Sequence, residues 1–237
     1  MNKKYLGINQ PIPLSVLEFA LHTILNGESL DKSKLDSRLK EYITGENRRN
    51  KANSHINLIQ SNNRNLLQEI RKKIDGDRFL RLQESDREII VICLLANTFP
   101  VFYETMKVLA MVYKVQQLIN FDSLLLKLSA TYGSNRGIYN AVNAVLPMLV
   151  DIGLIKRVKP AIFEKGDQFK TQIPFLGELC VYTDITLSTS KTILLDDIHH
   201  RPWYDFFDFT LNPENKFELL KLSELRQGYG YLEVRII

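Results

Sequence analysis

The pattern of apolar and polar residues between positions 121 and 173 predicts two helices followed by a β-hairpin. The first helix covers residues 122–132 and ends at Gly133, and Ser134 is placed to cap the next helix. The second helix covers residues 135–152 and ends at Gly153. Its apolar residues recur at spacings of four and three, so they share one face: Ile138, Val142, Val145, Leu149 and Ile152. Strands at 154–158 and 169–173 would complete the element order of a winged helix-turn-helix.

The outer face of the second predicted helix carries side chains that can contact nucleic acid. They are Arg136, Tyr139, Asn140 and Asn143, types that reach base edges or phosphates in a major groove. The predicted wing adds cations: Lys156, Arg157, Lys159, Lys165 and Lys170. This pattern favours binding to double-stranded DNA. Any surface helix has a polar outer face, however, and winged helices also dock to proteins, so a protein-interaction surface is the alternative.

The rest of the chain predicts a mainly α protein with a mixed C-terminal segment. Helices are predicted at 14–26, from Asp31 or Ser33 to Gly45, and at 49–74, 86–99 and 101–119. The helix at 86–99 is apolar on nearly every side, as a central core helix is, and Ser85 with Glu88 forms a capping-box pattern at its start. After Pro174 we predict strands at 179–187, 191–195 and 232–237 and a helix at 217–225. The predicted division is a helical bundle at 1–119, the winged helix-turn-helix at 120–173, and a small α+β segment at 174–237.

Composition and charge favour a soluble protein with a polyanionic partner. Of the 237 residues, 45% are hydrophobic and 24% charged, which is ordinary for a globular protein. The N-terminus lacks a signal-peptide pattern and the longest apolar run, 89–96, is too short to span a bilayer, so we expect a cytoplasmic protein without membrane contact. Residues 1–173 carry 25 basic and 17 acidic side chains (+8), and residues 174–237 carry 6 and 10 (−4). A basic body suits DNA. Cys93 and Cys180 lie in apolar runs and are predicted to be buried thiols.

A second basic segment lies upstream, between residues 48 and 81. It holds nine cations against three carboxylates, interleaved with many Asn and Gln residues, a mixture that suits phosphate backbones. Arg48 and Arg49 open this segment and are predicted to be DNA-binding residues. A solvated surface helix explains the same composition equally well, because the cations do not share one face.

The sequence contains no motif that predicts an enzyme, a metal site or a cofactor. Phosphate-binding loops, hydrolase elbows, zincin motifs and dinucleotide fingerprints are all missing. Two Asp and two His residues fall within positions 196–200, but neighbouring residues of a strand point to opposite sides, which favours a polar turn over a metal site. The aromatic residues that follow are predicted to form the core of the C-terminal segment, with a docking patch as the alternative: Trp203, Tyr204, Phe206, Phe207 and Phe209.

The layout of these elements resembles the BrxA family, a small helical component of bacterial BREX phage-exclusion systems. The resemblance rests on an Asn/Arg-rich joint with a long helix (46–74), a very apolar helix with an aromatic segment behind it (89–103), and a helix pair that ends in a short Gly-Leu-Ile strand entry (134–155). It covers roughly residues 14–165, and the segment after Pro174 lies outside it. It implies a non-enzymatic DNA-binding protein of phage defence, with other defence-system proteins as partners. A protein-interaction adaptor and a winged-helix transcription regulator are the alternatives.

Overall fold

Residues 14–113 form a series of helices in the computed structural model, which describes residues 6–133, 135–224 and 230–235. Their bounds are α1 Leu14–Leu25, α2 Lys32–Lys40, α3 Glu46–Asn62, α4 Arg64–Lys73, α5 Gly76–Arg81, α6 Glu84–Thr98 and α7 Pro100–Tyr113. Asp31 caps α2, because its carboxylate accepts hydrogen bonds from the N–H groups of Ser33 and Lys34. The protein is mainly helical, as the sequence predicts.

The predicted single helix at 49–74 is wrong: it is two helices, α3 and α4, that meet at Asn63. This residue leaves the helical conformation, with φ −107° and ψ 21°. Its side-chain amide is buried and donates to the carbonyl of Ile59 and to the hydroxyl of Thr98 on α6. The break is therefore held by hydrogen bonds to the central helix, which local propensity does not reveal.

Helices α6 and α7 form the centre of the molecule and meet at a sharp bend. The two axes are bent by 116° where Pro100 begins α7. Among the described residues, no single helix has the length and hydropathy to cross a membrane; α6 and α7 satisfy that test only as this bent pair. The predicted capping box is wrong, because α6 begins at Glu84 and the Ser85 hydroxyl donates instead to the carbonyl of Lys170.

Two helices and a three-stranded antiparallel sheet follow α7. The order along the chain is β1 Leu118–Asn120, α8 Phe121–Tyr132, α9 Gly137–Asp151, β2 Ile155–Lys159 and β3 Ile162–Lys165. The helix predicted at 101–119 thus ends at Tyr113, and its last residues are a strand. Strand β3 lies in the middle of the sheet, between β1 and β2. The pairs Ile119 with Phe163 and Arg157 with Phe163 give its register.

The predicted pair of helices at 122–132 and 135–152 is confirmed, with α9 beginning two residues later than predicted. Gly133 separates the two helices and has a positive φ of +62°. The predicted cap, Ser134, lies outside the described residues.

The predicted hairpin between 154–158 and 169–173 is wrong in its second strand. The chain reverses earlier, at Pro160 and Ala161, where Ala161 takes a positive φ of 61°. Residues 162–165 therefore pair with β2. The short strand β4 Phe169–Lys170 instead pairs in parallel with β6 Phe207–Asp208.

The C-terminal segment is a helix followed by a second small sheet. The strand predicted at 179–187 is wrong: these residues belong to α10 Pro174–Leu187, which is buried along most of its length and contacts α6. Burial against α6 outweighs the β-propensity of its branched residues. Strands β5 Thr192–Leu194, β7 Leu220–Glu224 and β8 Gly230–Val234 form a sheet in the order β5-β8-β7. The strand predicted at 191–195 is confirmed, as is the described part of 232–237, whereas the helix predicted at 217–225 is a strand.

The aromatic segment and both cysteines are buried in a core that is continuous from the N-terminal helices to the C-terminal sheet. This confirms the core prediction for Trp203, Tyr204, Phe206 and Phe207. Beneath them, the carboxylate of Asp184 accepts hydrogen bonds from the hydroxyls of two tyrosines, Tyr103 and Tyr204. It also forms an ion pair with Arg201 at 2.9 Å. A buried charge is thus fully partnered at the junction of α7, α10 and the segment 201–206.

Candidate nucleic-acid interface

The first two turns of α9 present a polar face to solvent. Arg136, Tyr139, Asn140 and Asn143 are all exposed, and the apolar stripe on the other side of the helix is buried. The side-chain amide of Asn143 donates to the carbonyl of Tyr139 at 3.0 Å. The structure therefore brings these four predicted side chains together on one surface, as the spacing of the apolar residues predicted.

The second half of α9 is mostly buried, and Asp151 at its end is exposed. Its residues Val145, Met148 and Leu149 are buried. The N-terminal segment runs along this helix: the side chain of Leu6 packs against Gly137, and the N–H of Leu14 donates to the carboxylate of Asp151 at 2.6 Å. Apart from Asp151, the exposed side chains of α9 all lie in its N-terminal half.

The wing turn, the start of α8 and the start of α9 are adjacent. The N–H of Phe121 donates to the carbonyl of Ala161 in the turn, at 2.9 Å. The ring of Phe121 in turn meets the ring of Tyr139 edge-on, with centroids 5.5 Å apart. The exposed cation Lys159 stands immediately before this turn, and the exposed Lys127 lies on α8. Sequence reasoning missed Lys127, although the apolar positions Leu124, Leu128 and Tyr132 recur at a spacing of four and leave position 127 beside their stripe.

The cations predicted for the wing do not share one surface. Lys156 is exposed and pairs with Asp167 at 3.0 Å. The Arg157 guanidinium lies 5.6 Å from the ring centre of Phe163, on the opposite face of the hairpin.

Lys165 and Lys170 lie away from the wing turn, and the placement of Lys170 on the wing is wrong. The ammonium of Lys165, at the far end of β3, lies 5.5 Å from the ring centre of Phe206 in the C-terminal segment. Lys170 belongs to β4 and pairs with Asp208 at 3.5 Å. Both lysines face the C-terminal segment, because Lys165 is the last residue of β3 and Lys170 lies beyond the hairpin.

Arg48 and Arg49 are neighbours in sequence but lie in different environments. The Arg49 side chain is only 11% exposed, and its guanidinium bonds to the Asp36 carboxylate at 2.8 Å and to the Thr44 carbonyl at 2.7 Å. The Arg49 hydrogen bond holds the pKa of Asp36 below its usual range. Arg48 is exposed and donates to the Gln10 side chain at 3.3 Å. With Arg157, Arg48 lines a groove of about 520 Å³ at the C-terminal end of α9.

The candidate metal residues at 196–200 lie in a short 3-10 turn, Leu195–His200, in which His199 and His200 are exposed. Within the described ranges, no three His, Cys, Asp or Glu side chains are placed to hold a metal ion.

No family model, no curated protein and no solved structure matches this chain.

Proposed function

We propose that residues 100–165 form a winged helix-turn-helix and that the protein is a non-enzymatic binder of double-stranded DNA. One observation carries the proposal. The three-stranded sheet in the order β1-β3-β2 closes on the helix pair α8 and α9, and the exposed side chains of α9, apart from Asp151, lie in its polar N-terminal half. Winged DNA-binding modules use this order of elements, with the second helix of the pair in the major groove.

The exposed half of α9 has the size and chemistry for base contacts. Residues 136–143 span roughly 10 Å of helix axis, which fits within the width of a major groove, about 12 Å. Arg136 and Asn140 come first along this face and would reach the base edges, since recognition helices read bases from their N-terminal residues. Lys127 on α8 and Lys159 beside the wing turn would contact phosphates on either side. The net charge of +4 supports this partner.

The first test is the salt dependence of binding to a random-sequence duplex, measured by fluorescence anisotropy. With about five phosphate contacts, the plot of log affinity against log salt should have a slope of about −4.5. Binding that is unchanged between low and physiological salt, or missing at low salt, would refute the proposal and favour a protein-interaction adaptor.

The second test separates the proposed surface from the other cations. Replacing Lys127 and Lys159 with Ala should weaken binding to all sequences and reduce the slope by about two. Replacing Arg136 with Ala should cost about 1–3 kcal/mol on a preferred site if the guanidinium contacts guanine. The matched control is the double variant of Lys165 and Lys170, which face the C-terminal segment and should leave the affinity unchanged. Equal losses in the two lysine pairs would refute the assignment of the surface.

We further propose, on the resemblance of residues 14–165 alone, that the protein acts in a BREX-like phage-defence system. Genes for a methyltransferase and a large ATPase should then lie beside its own gene, and its deletion should raise the plating efficiency of phage on the host. A gene that stands alone, with unchanged plating after deletion, would favour a transcription regulator.

A further inference from the structure

A row of side-chain amides follows one face of α3 and α4, away from the proposed DNA surface. Asn50, Asn53, Asn57, Gln60 and Gln68 recur at helical spacings of three, four, three and eight residues. They line two cavities of about 320 and 300 Å³ that share Asn57 and lie against α2 and α1. We call this feature the amide trough.

The amides of the trough have no partner in the part of the chain that the structure describes. Among the described residues, the side chains of these five positions make no hydrogen bond. For four of them solvent access accounts for this, but Asn53 is only 6% exposed. Neither amide atom of Asn53 is among the buried side-chain atoms that lack a partner, so this amide also reaches solvent, and the donors and acceptors of all five positions are open to a ligand.

The charges and the apolar residues of the trough define its ligand. Its lining includes three cations and no carboxylate: Lys32, Arg64 and Arg71. Four aliphatic residues provide apolar surface between the amides: Ile24, Leu30, Leu35 and Leu67. The complementary ligand is therefore anionic and carries apolar groups at intervals.

We propose that the amide trough binds an extended acidic peptide segment of a partner protein. A carboxamide offers one acceptor and two donors, so it can pair with both the N–H and the C=O of a peptide unit. Residues 50–60 of the trough follow roughly 15 Å of α3, which matches about four to five residues of extended chain. Single-stranded nucleic acid fits less well, because it binds on aromatic stacking surfaces and no aromatic side chain lines either cavity.

The experiment selects peptides from a phage-displayed library of random dodecapeptides on the full-length protein. Enriched sequences should combine Asp or Glu with aliphatic residues. The double variant Asn57→Ala with Gln60→Ala should bind the selected peptide at least about tenfold more weakly, since each amide hydrogen bond contributes about fivefold. Changing the acidic residues of the peptide to their amides should weaken binding similarly. In NMR spectra, the side-chain NH₂ signals of Asn50, Asn57 and Gln60 should shift when the peptide is added.

The matched control is Asn47→Ala with Asn62→Ala, which removes two exposed amides of α3 that do not line the trough. This control should bind the peptide normally. Equal affinity in both double variants, no acidic enrichment, no enriched peptide at all, or displacement of the peptide by an oligothymidine strand would overturn the proposal. Because the trough shares no residue with the α8–α9 surface, duplex binding should be unchanged in Asn57→Ala with Gln60→Ala, and the two proposals can fail separately.

Discussion

A single buried carboxylate should make the stability of this protein depend on pH near neutrality. Glu88 is 9% exposed on α6, and burial raises its pKa from 4.5 to about 7. The carboxylates of Glu84 on α6 and Glu18 on α1 add to the increase, and Arg87 opposes it. The folded state therefore favours the protonated side chain. The resulting stabilisation is complete below pH 4.5 and is lost as the pH rises through 7.

The magnitude follows from the size of the pKa shift. One pKa unit corresponds to 1.36 kcal/mol, so a shift from 4.5 to about 7 sets an upper limit of about 3 kcal/mol. The nearby ion pair of Arg87 with Glu18 is partly open to solvent, which screens these charges, so we expect about 1–2 kcal/mol.

The assay is urea unfolding of the wild type and of Glu88→Gln at pH 5, 6, 7 and 8. The stability of Glu88→Gln relative to wild type should increase by about 1–2 kcal/mol from pH 5 to pH 8, because the neutral amide carries no charge to bury. Burial also raises the pKa of Asp184 and Glu178, but both proteins contain these groups and their effects cancel in the difference. The exposed Glu46 provides the control, and Glu46→Gln should give a pH-independent difference. A constant difference for Glu88→Gln across this range would refute the reasoning.

Two further predictions concern the fold. Asp184→Asn should lower the free energy of unfolding by about 3 kcal/mol, because the amide carries no negative charge to pair with Arg201 and has only one accepting oxygen for the two tyrosine hydroxyls. The exposed Asp196→Asn should change it by less than about 0.5 kcal/mol in the same urea titration. Gly133→Ala should cost about 1–3 kcal/mol from backbone strain alone, since its φ is +62° and an added Cβ would meet no atom within 4 Å. Gly45→Ala, at an ordinary φ of −83°, should lower the melting temperature far less, and equal losses in the two Ala variants would contradict this account.

The helices of the proposed DNA-binding unit could be predicted because local signals define them. Gly133 and Gly153 mark the helix ends, and the apolar spacing of α9 separates its buried face from its exposed one. Strand β1 has three residues and pairs with a strand more than forty positions away, so the sequence nearby contains no signal for it. The turn at Ala161 was missed for a related reason, because alanine seldom adopts a positive φ.

The contact partners of individual cations could not be predicted, because these partners are distant in sequence. Arg49 is held by Asp36, Lys165 lies over Phe206, and Lys170 pairs with Asp208. None of these partners is a neighbour on the same helix or strand. Composition shows that the region is basic, but tertiary contacts decide how many of its cations remain available to a polyanion.

The α8–α9 unit shares its core with the rest of the protein through α7. This helix contacts α8, α9 and the strands β1 and β3, and it also contacts the segment 202–206. Its Tyr103 reaches the buried Asp184 of α10. Domains that share a large apolar interface do not move independently. The exposed face of α9, the start of α8 and the wing turn are therefore held in a fixed arrangement before any ligand binds. A duplex that fits this face would bind without the cost of ordering a loop, so substitutions at Arg136 should act on the lifetime of the complex more than on its rate of formation.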